Sequence, residues 1–153
     1  MNQDFLDVLR ELLGTESRFL VVGAFALSVH AEPRATGDLD IWVEAAPENA
    51  KRVYQALKDF GAPLKDLTVD DLSKPGIVFQ MGLPPNRIDI LTKISGVTFE
   101  EAWTTRVTID ISGLNVPVIG KELFLVNKKA AGRPKDLLDV DLVEKHSPPP
   151  KKT

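Results

Sequence analysis

The sequence predicts an α/β or α+β chain, a mixed β-sheet flanked by helices. Short runs such as Phe19-Leu20-Val21-Val22 and the alternating stretch from Asp38 to Glu44 have strand character. Phe5, Val8, Leu9, Leu12 and Leu13 recur at helical spacing. Segments of both kinds share one chain, which predicts helices packed on a sheet.

The elements follow in order. The first helix carries Phe5 to Leu13, with Gly14 as its C-cap. Phe19 to Val22 is a buried strand ended by Gly23, and Ala24 to His30 is a small-residue helix. Residues 31–37 form a loop before the strand from Asp38 to Glu44. Pro47 opens a helix whose inner face is Ala50, Val53, Tyr54 and Leu57, and Gly61 closes it. Thr68 caps a short turn over Val69 to Ser73. Ile77 to Met81 and Arg87 to Ile94 are paired strands, joined through Leu83-Pro84-Pro85-Asn86. A short helix spans Phe99 to Trp103. Thr105 to Ile111 and Leu114 to Ile119 form a hairpin turning at Gly113. Helices from Glu122 to Ala131 and from Lys135 to Glu144 close the chain, with Pro134 at the start of the last.

With 153 residues the chain is long enough for one domain with its own core. Residues 1–146 read as that domain, and the Pro- and Lys-rich residues 147–153 as a disordered tail. A net charge of −3 argues against a broad nucleic-acid-coating surface, though not against a local basic groove. There is no cysteine, hence no disulfide framework and no thiol chemistry. No apolar run reaches the ~20 residues of a membrane span, and the N-terminus lacks a signal-peptide pattern. A cytoplasmic protein without membrane partners is the expectation.

The chemistry lies in three carboxylates. Asp38 and Asp40 alternate in one strand, so both point to one face while Leu39, Ile41 and Val43 point to the core. Asp89 alternates in a second apolar strand. Carboxylates sharing a pleat repel unless protons or a cation intervene, and their oxygens suit a hard ion such as Mg²⁺ or Mn²⁺. A lone Asp-x-Asp is common on solvent faces; three strand carboxylates call for a reason, because charge is depleted in strands. Gly23, at a strand-to-helix turn, gives phosphate an approach to free helix amides. Arg34 offers a phosphate clamp and Thr36 a hydroxyl donor. The basic stretch 127–136 contains Lys128 and Arg133. It reads either as helix-end cations or as a triphosphate or nucleic-acid contact. Asp136 and Asp139 are first-turn helix carboxylates or orienters of those cations. Trp42, on the carboxylate face, is a base-stacking or a packed aromatic.

These residues resemble the DNA polymerase beta-like nucleotidyltransferase superfamily. Its pattern is a strand ending in a Gly-(Gly/Ser) turn, a helix, Asp-x-Asp on a strand and a third Asp on a later strand. Here it reads Val22-Gly23-Ala24, Asp38-Leu39-Asp40 and Asp89. The segments 34–43, 85–91 and 128–139 look more narrowly like small bacterial nucleotidyltransferases, distant relatives of abortive-infection (toxin–antitoxin) nucleotidyltransferase toxins. The resemblance covers about residues 18–143 and implies a nucleotidyltransferase fold. It implies an enzyme moving an NMP from an NTP to an acceptor hydroxyl, on an RNA or tRNA end or on a protein. Asp38 and Asp40 would then bind metal and phosphates, and Asp89 the metal nearest the attacking hydroxyl. Gly23, Ala24 and Lys128 would contact the triphosphate. Ala24 stands where the family carries Gly or Ser, which removes a hydroxyl-to-phosphate bond. The alternative expectation is a non-catalytic module binding nucleotide or a partner, such as a cognate antitoxin or toxin.

Overall fold

The computed structural model describes residues 1–31 and 37–146. Arg34, Thr36 and the tail at 147–153 therefore lie outside the described residues. The elements run α1 (Gln3–Gly14), β1 (Phe19–Val22), α2 (Gly23–His30), β2 (Leu39–Val43), α3 (Pro47–Phe60), α4 (Val69–Leu72), β3 (Val78–Met81), β4 (Ile88–Leu91), α5 (Phe99–Thr104), β5 (Val107–Ile111), β6 (Leu114–Val118), α6 (Lys121–Ala131) and α7 (Pro134–His146).

The six strands form one mixed sheet in the order β3-β4-β2-β1-β6-β5. β2 runs parallel to β4 and β1 parallel to β6; the other three pairings are antiparallel. The central strands β1 and β2 are buried almost throughout, as apolar runs covered on both faces require. Helices α1, α3 and α4 pack in sequence, and α2, α6 and α7 gather as a second group with α2 on β1 and β2.

Local chemistry fixes the ends. Pro47 starts α3 and Gly61, at φ 94°, ends it in the left-handed region. Capping boxes of Thr68 with Asp71 and Thr98 with Glu101 start α4 and α5. Ser112 and Gly113 both have positive φ, as a two-residue hairpin turn of primed type needs. Buried Asn49 of α3 accepts from the Arg18 amide (2.6 Å) and donates to the carbonyls of Arg18 and Glu44 (3.0 Å each). One side chain thus ties the start of β1 to the end of β2.

Several boundaries differ from the sequence reading. Thr15, not Gly14, caps α1, its amide reaching back to the Glu11 and Leu13 carbonyls. β2 begins at Leu39 rather than Asp38, because Asp38 Oδ1 accepts the Arg87 backbone N–H at 3.2 Å. β4 ends at Leu91 instead of Ile94. There the Thr92 hydroxyl takes the Ile77 amide at 2.8 Å, and Ile94 turns to an isolated bridge with Val97.

Candidate active site

Strand register builds the site. Asp40 of β2 pairs directly with Asp89 of β4, Asp89 with Gln80 of β3, and Asp40 with Val22 of β1. Directly paired residues share a sheet face. The row Gln80–Asp89–Asp40–Val22 therefore crosses four strands and stops where β1 gives way to α2. Leu39, Ile41, Ile88 and Ile90, which alternate with the two aspartates, are buried. Their burial locks the register, since a slip of one residue would exchange the faces.

At the end of that row Gly23 has φ 67°, and a Cβ there would collide with the Asp40 carboxylate. Only glycine meets both demands. The N-cap of α2, Val22, makes no side-chain cap, so no N-cap side chain satisfies the first amides of the helix. Ala24 is exposed at this turn. We expect Gly23→Ala to lower stability by about 1–2 kcal/mol through its positive φ and the displaced Asp40. Chemical denaturation of both proteins measures this, and equal midpoints would refute it.

Asp40 is an unusual carboxyl. Burial, then the neighbouring Asp89 charge and a hydrogen bond to Asp89, push its pKa up to about 6; the Asp38 charge adds to this and Lys128 opposes it. Asp38 and Asp89, in contrast, have a resident cation. Arg87 Nε lies 2.9 Å from Asp89 Oδ1, and its Nη2 lies 3.3 Å from Asp89 Oδ2 and 3.5 Å from Asp38 Oδ2.

A second charged cluster faces the first. Buried Lys128 of α6 sits 3.3 Å from both Asp136 and Asp139 of α7. Asp136 is fully buried and accepts from Arg133 Nε at 2.6 Å, Arg133 Nη2 at 3.2 Å and the Arg133 amide at 3.2 Å. The Arg133 hydrogen bonds, reinforced by Lys128, hold the Asp136 pKa down at about 2. Between the clusters opens a cleft of about 590 Å³. Gly23, Ala24, Gly37, Asp38, Asp40, Arg87, Asp89, Lys128, Arg133, Lys135 and Asp139 line it.

Seven of the nine residues singled out from sequence thus meet at one cleft: Gly23, Ala24, Asp38, Asp40, Asp89, Lys128 and Arg133. Arg34 and Thr36 fall outside the described residues. Sequence reading missed Arg87 and Gln80. The signal for Arg87 was present, since it stands two residues before Asp89 and shares its face. Trp42 is packed edge-on against Phe99 at 5.0 Å and is buried, so the packed-aromatic alternative holds. Its Nε1 is the buried side-chain polar atom without a hydrogen-bond partner among the described residues. His30 bonds the Ile119 carbonyl at 2.7 Å, a structural role.

Asp40 and Asp89 on adjoining strands, with Asp38 just before β2, are hard oxygen donors of the type a divalent cation takes. Among the described residues no group of three or more acidic, histidine or cysteine side chains is set as a ready coordination cluster. Arg87 holds two of the three carboxylates. Also among them, no helix is long and apolar enough to cross a membrane.

No protein-family model matches the chain, and no curated protein matches it. Solved structures do. The chain is similar to the lincosamide antibiotic adenylyltransferase LnuA, solved with lincomycin bound, at TM-score 0.57 and 13% identity, over 96% of this chain and 98% of that one. It is also similar to TM1012 of Thermotoga maritima, a candidate nucleotidyltransferase, at TM-score 0.57 and 12% identity, over 95% and 93%. These likenesses show that the chain has the nucleotidyltransferase fold.

Proposed function

We propose that the protein is a divalent-cation-dependent nucleotidyltransferase that moves an NMP from an NTP to an acceptor hydroxyl. The observation that carries this reading is the register pair Asp40–Asp89, set beside an uncapped helix start at Gly23 and opposite the Lys128–Arg133 cluster. Carboxylates for a cation, amides for phosphate and fixed positive side chains for a triphosphate then share one cleft.

Asp38, Asp40 and Asp89 would hold the cation, Mg²⁺ or Mn²⁺, which would supply stabilisation of the charge on the attacking and leaving oxygens. The α2 amides at Gly23 and Ala24 donate to phosphate oxygens. Lys128 and Arg133, kept in place by Asp136, would donate hydrogen bonds to phosphate oxygens. Asp89 orients the acceptor hydroxyl, whose oxygen bonds to the α-phosphorus as the bond to pyrophosphate breaks. The hydroxyl proton passes to carboxylate or solvent.

The acceptor is an RNA or tRNA end, a protein hydroxyl or a small molecule. A small-molecule acceptor gains support from LnuA, a chain of matching extent solved with an antibiotic bound. Incubation with each labelled NTP, Mg²⁺ and cell extract, followed by separation into RNA, protein and small molecules, identifies which is labelled. Absence of label in every fraction would overturn catalysis. A non-catalytic nucleotide- or partner-binding module, of toxin–antitoxin type, is the second reading. It is favoured by Ala24 at the phosphate turn and by Arg87 on Asp89.

The catalytic reading and the nucleotide-binding form of the second both predict nucleotide binding. NTP with Mg²⁺ should raise the melting temperature by several degrees, since a native-state ligand at about a hundred times its dissociation constant adds ~2.7 kcal/mol. Equal shifts in chelator and in Mg²⁺, read by thermal scanning, would refute cation-bridged binding.

A further inference from the structure

We propose that Arg87 is a displaceable internal counterion: it holds Asp38 and Asp89 while no divalent cation is bound, and must release them for one to bind. The inference rests on the reading above that this cleft takes such a cation. One residue addresses all four oxygens of two carboxylates. Its side chain engages both oxygens of Asp89 at 2.9 and 3.3 Å and Oδ2 of Asp38 at 3.5 Å, while its backbone N–H takes Asp38 Oδ1 at 3.2 Å. A hard cation needs oxygen lone pairs on that same side, and a guanidinium beside it would be repelled.

The chemistry explains why such a counterion is present. Asp89 is buried, its side chain 10% exposed. An unpaired buried carboxylate is costly, so the metal-free protein needs a cation there. Lys128 does not serve: it is held by Asp136 and Asp139. Arg87 is also placed to leave. Its side chain is 30% exposed, and among the described residues its ion pairs go to Asp38 and Asp89. It follows an exposed connection, residues 82–86, and it borders the cleft. Once released, its guanidinium remains at the cleft wall, where incoming phosphate is its natural partner. Cation entry and phosphate capture are thereby coupled through one side chain.

The test compares wild type with Arg87→Gln and Arg87→Lys, using Mn²⁺ as the probe. Free Mn²⁺ is measured by its electron spin resonance signal, and melting temperature is measured in chelator and in Mn²⁺. Arg87→Gln should melt lower than wild type in chelator, because Asp89 loses its cation. It should bind Mn²⁺ about tenfold more tightly, the effect of removing roughly one competing charge-assisted hydrogen bond. Its melting deficit should close in Mn²⁺. Arg87→Lys, which keeps the charge without the fork, should fall between the two, and it carries the test if Arg87→Gln fails to fold. Equal or weaker Mn²⁺ binding by the variants overturns this proposal alone. Mn²⁺ binding by none of the three chains overturns the divalent-cation reading of the cleft, and the proposal with it.

Discussion

Asp40→Asn should abolish nucleotidyl transfer and, at the same time, raise the melting temperature of the metal-free protein near about pH 7.5. Both effects come from one carboxylate held beside Asp89 and Asp38. Its pKa rises to about 6 in the folded protein from the ordinary aspartate value of 3.8. The stabilisation linked to its proton is complete below the unfolded value and is lost as pH rises through about 6. Above that pH both states carry the charge, but in the folded chain it is buried beside Asp89 and Asp38, whereas in the unfolded chain water solvates it. A shift of this size corresponds to about 2–3 kcal/mol at most, so relief of ~1–2 kcal/mol is expected from the neutral amide. The variant should also flatten the rise in stability that wild type shows as pH falls from about 6 toward 4. Transfer assays paired with melting scans across that range decide the matter. A folded variant with full transfer activity would end the catalytic assignment, and an unchanged pH profile would end the electrostatic one.

Asp136→Asn should give the largest loss of stability. Asp136 is fully buried and receives Arg133 and Lys128 together. Removing its charge leaves buried Lys128 with Asp139 alone, and breaking a buried pair costs roughly 3 kcal/mol, or roughly 10 °C in a domain of this size. The stabilisation is present above the unfolded pKa and is lost as pH falls through about 2. Loss of Lys128 and Arg133 from their positions should also raise KM for the NTP. Asp141→Asn is the control: its 2.8 Å pair with Lys145 is exposed to solvent, and its loss should leave the unfolding midpoint almost unchanged. Urea unfolding measures both, and equal effects at the two positions would refute the buried network.

Much of this arrangement was legible from the chain. Apolar alternation around Asp40 and Asp89 placed both on strands, because burying Leu39, Ile41, Ile88 and Ile90 leaves the aspartates one direction to face. Caps were legible where side-chain chemistry is local, as at Thr68, Gly61 and Pro47. Tertiary partners were not. Nothing near Asn49 announces that it closes β1 onto β2. Asp136 had two open readings until α6 and α7 came together around it. Gln80 joins the carboxylate row only through pairing between β3 and β4. Strand ends moved for the same reason: side chains of Asp38 and Thr92 took hydrogen bonds that periodicity assigns to the ladder.

The register pairing of Asp40 with Asp89 has an evolutionary consequence. The geometry is inherited with the apolar residues that alternate with it: while Leu39, Ile41, Ile88 and Ile90 stay buried, positions 40 and 89 stay paired on one face, whichever side chains stand there. The exposed connection at 82–86 carries no such obligation. Loops of that kind tolerate insertion and exchange far better than central strands do. Change in that connection would therefore leave the pairing of the central strands as it is.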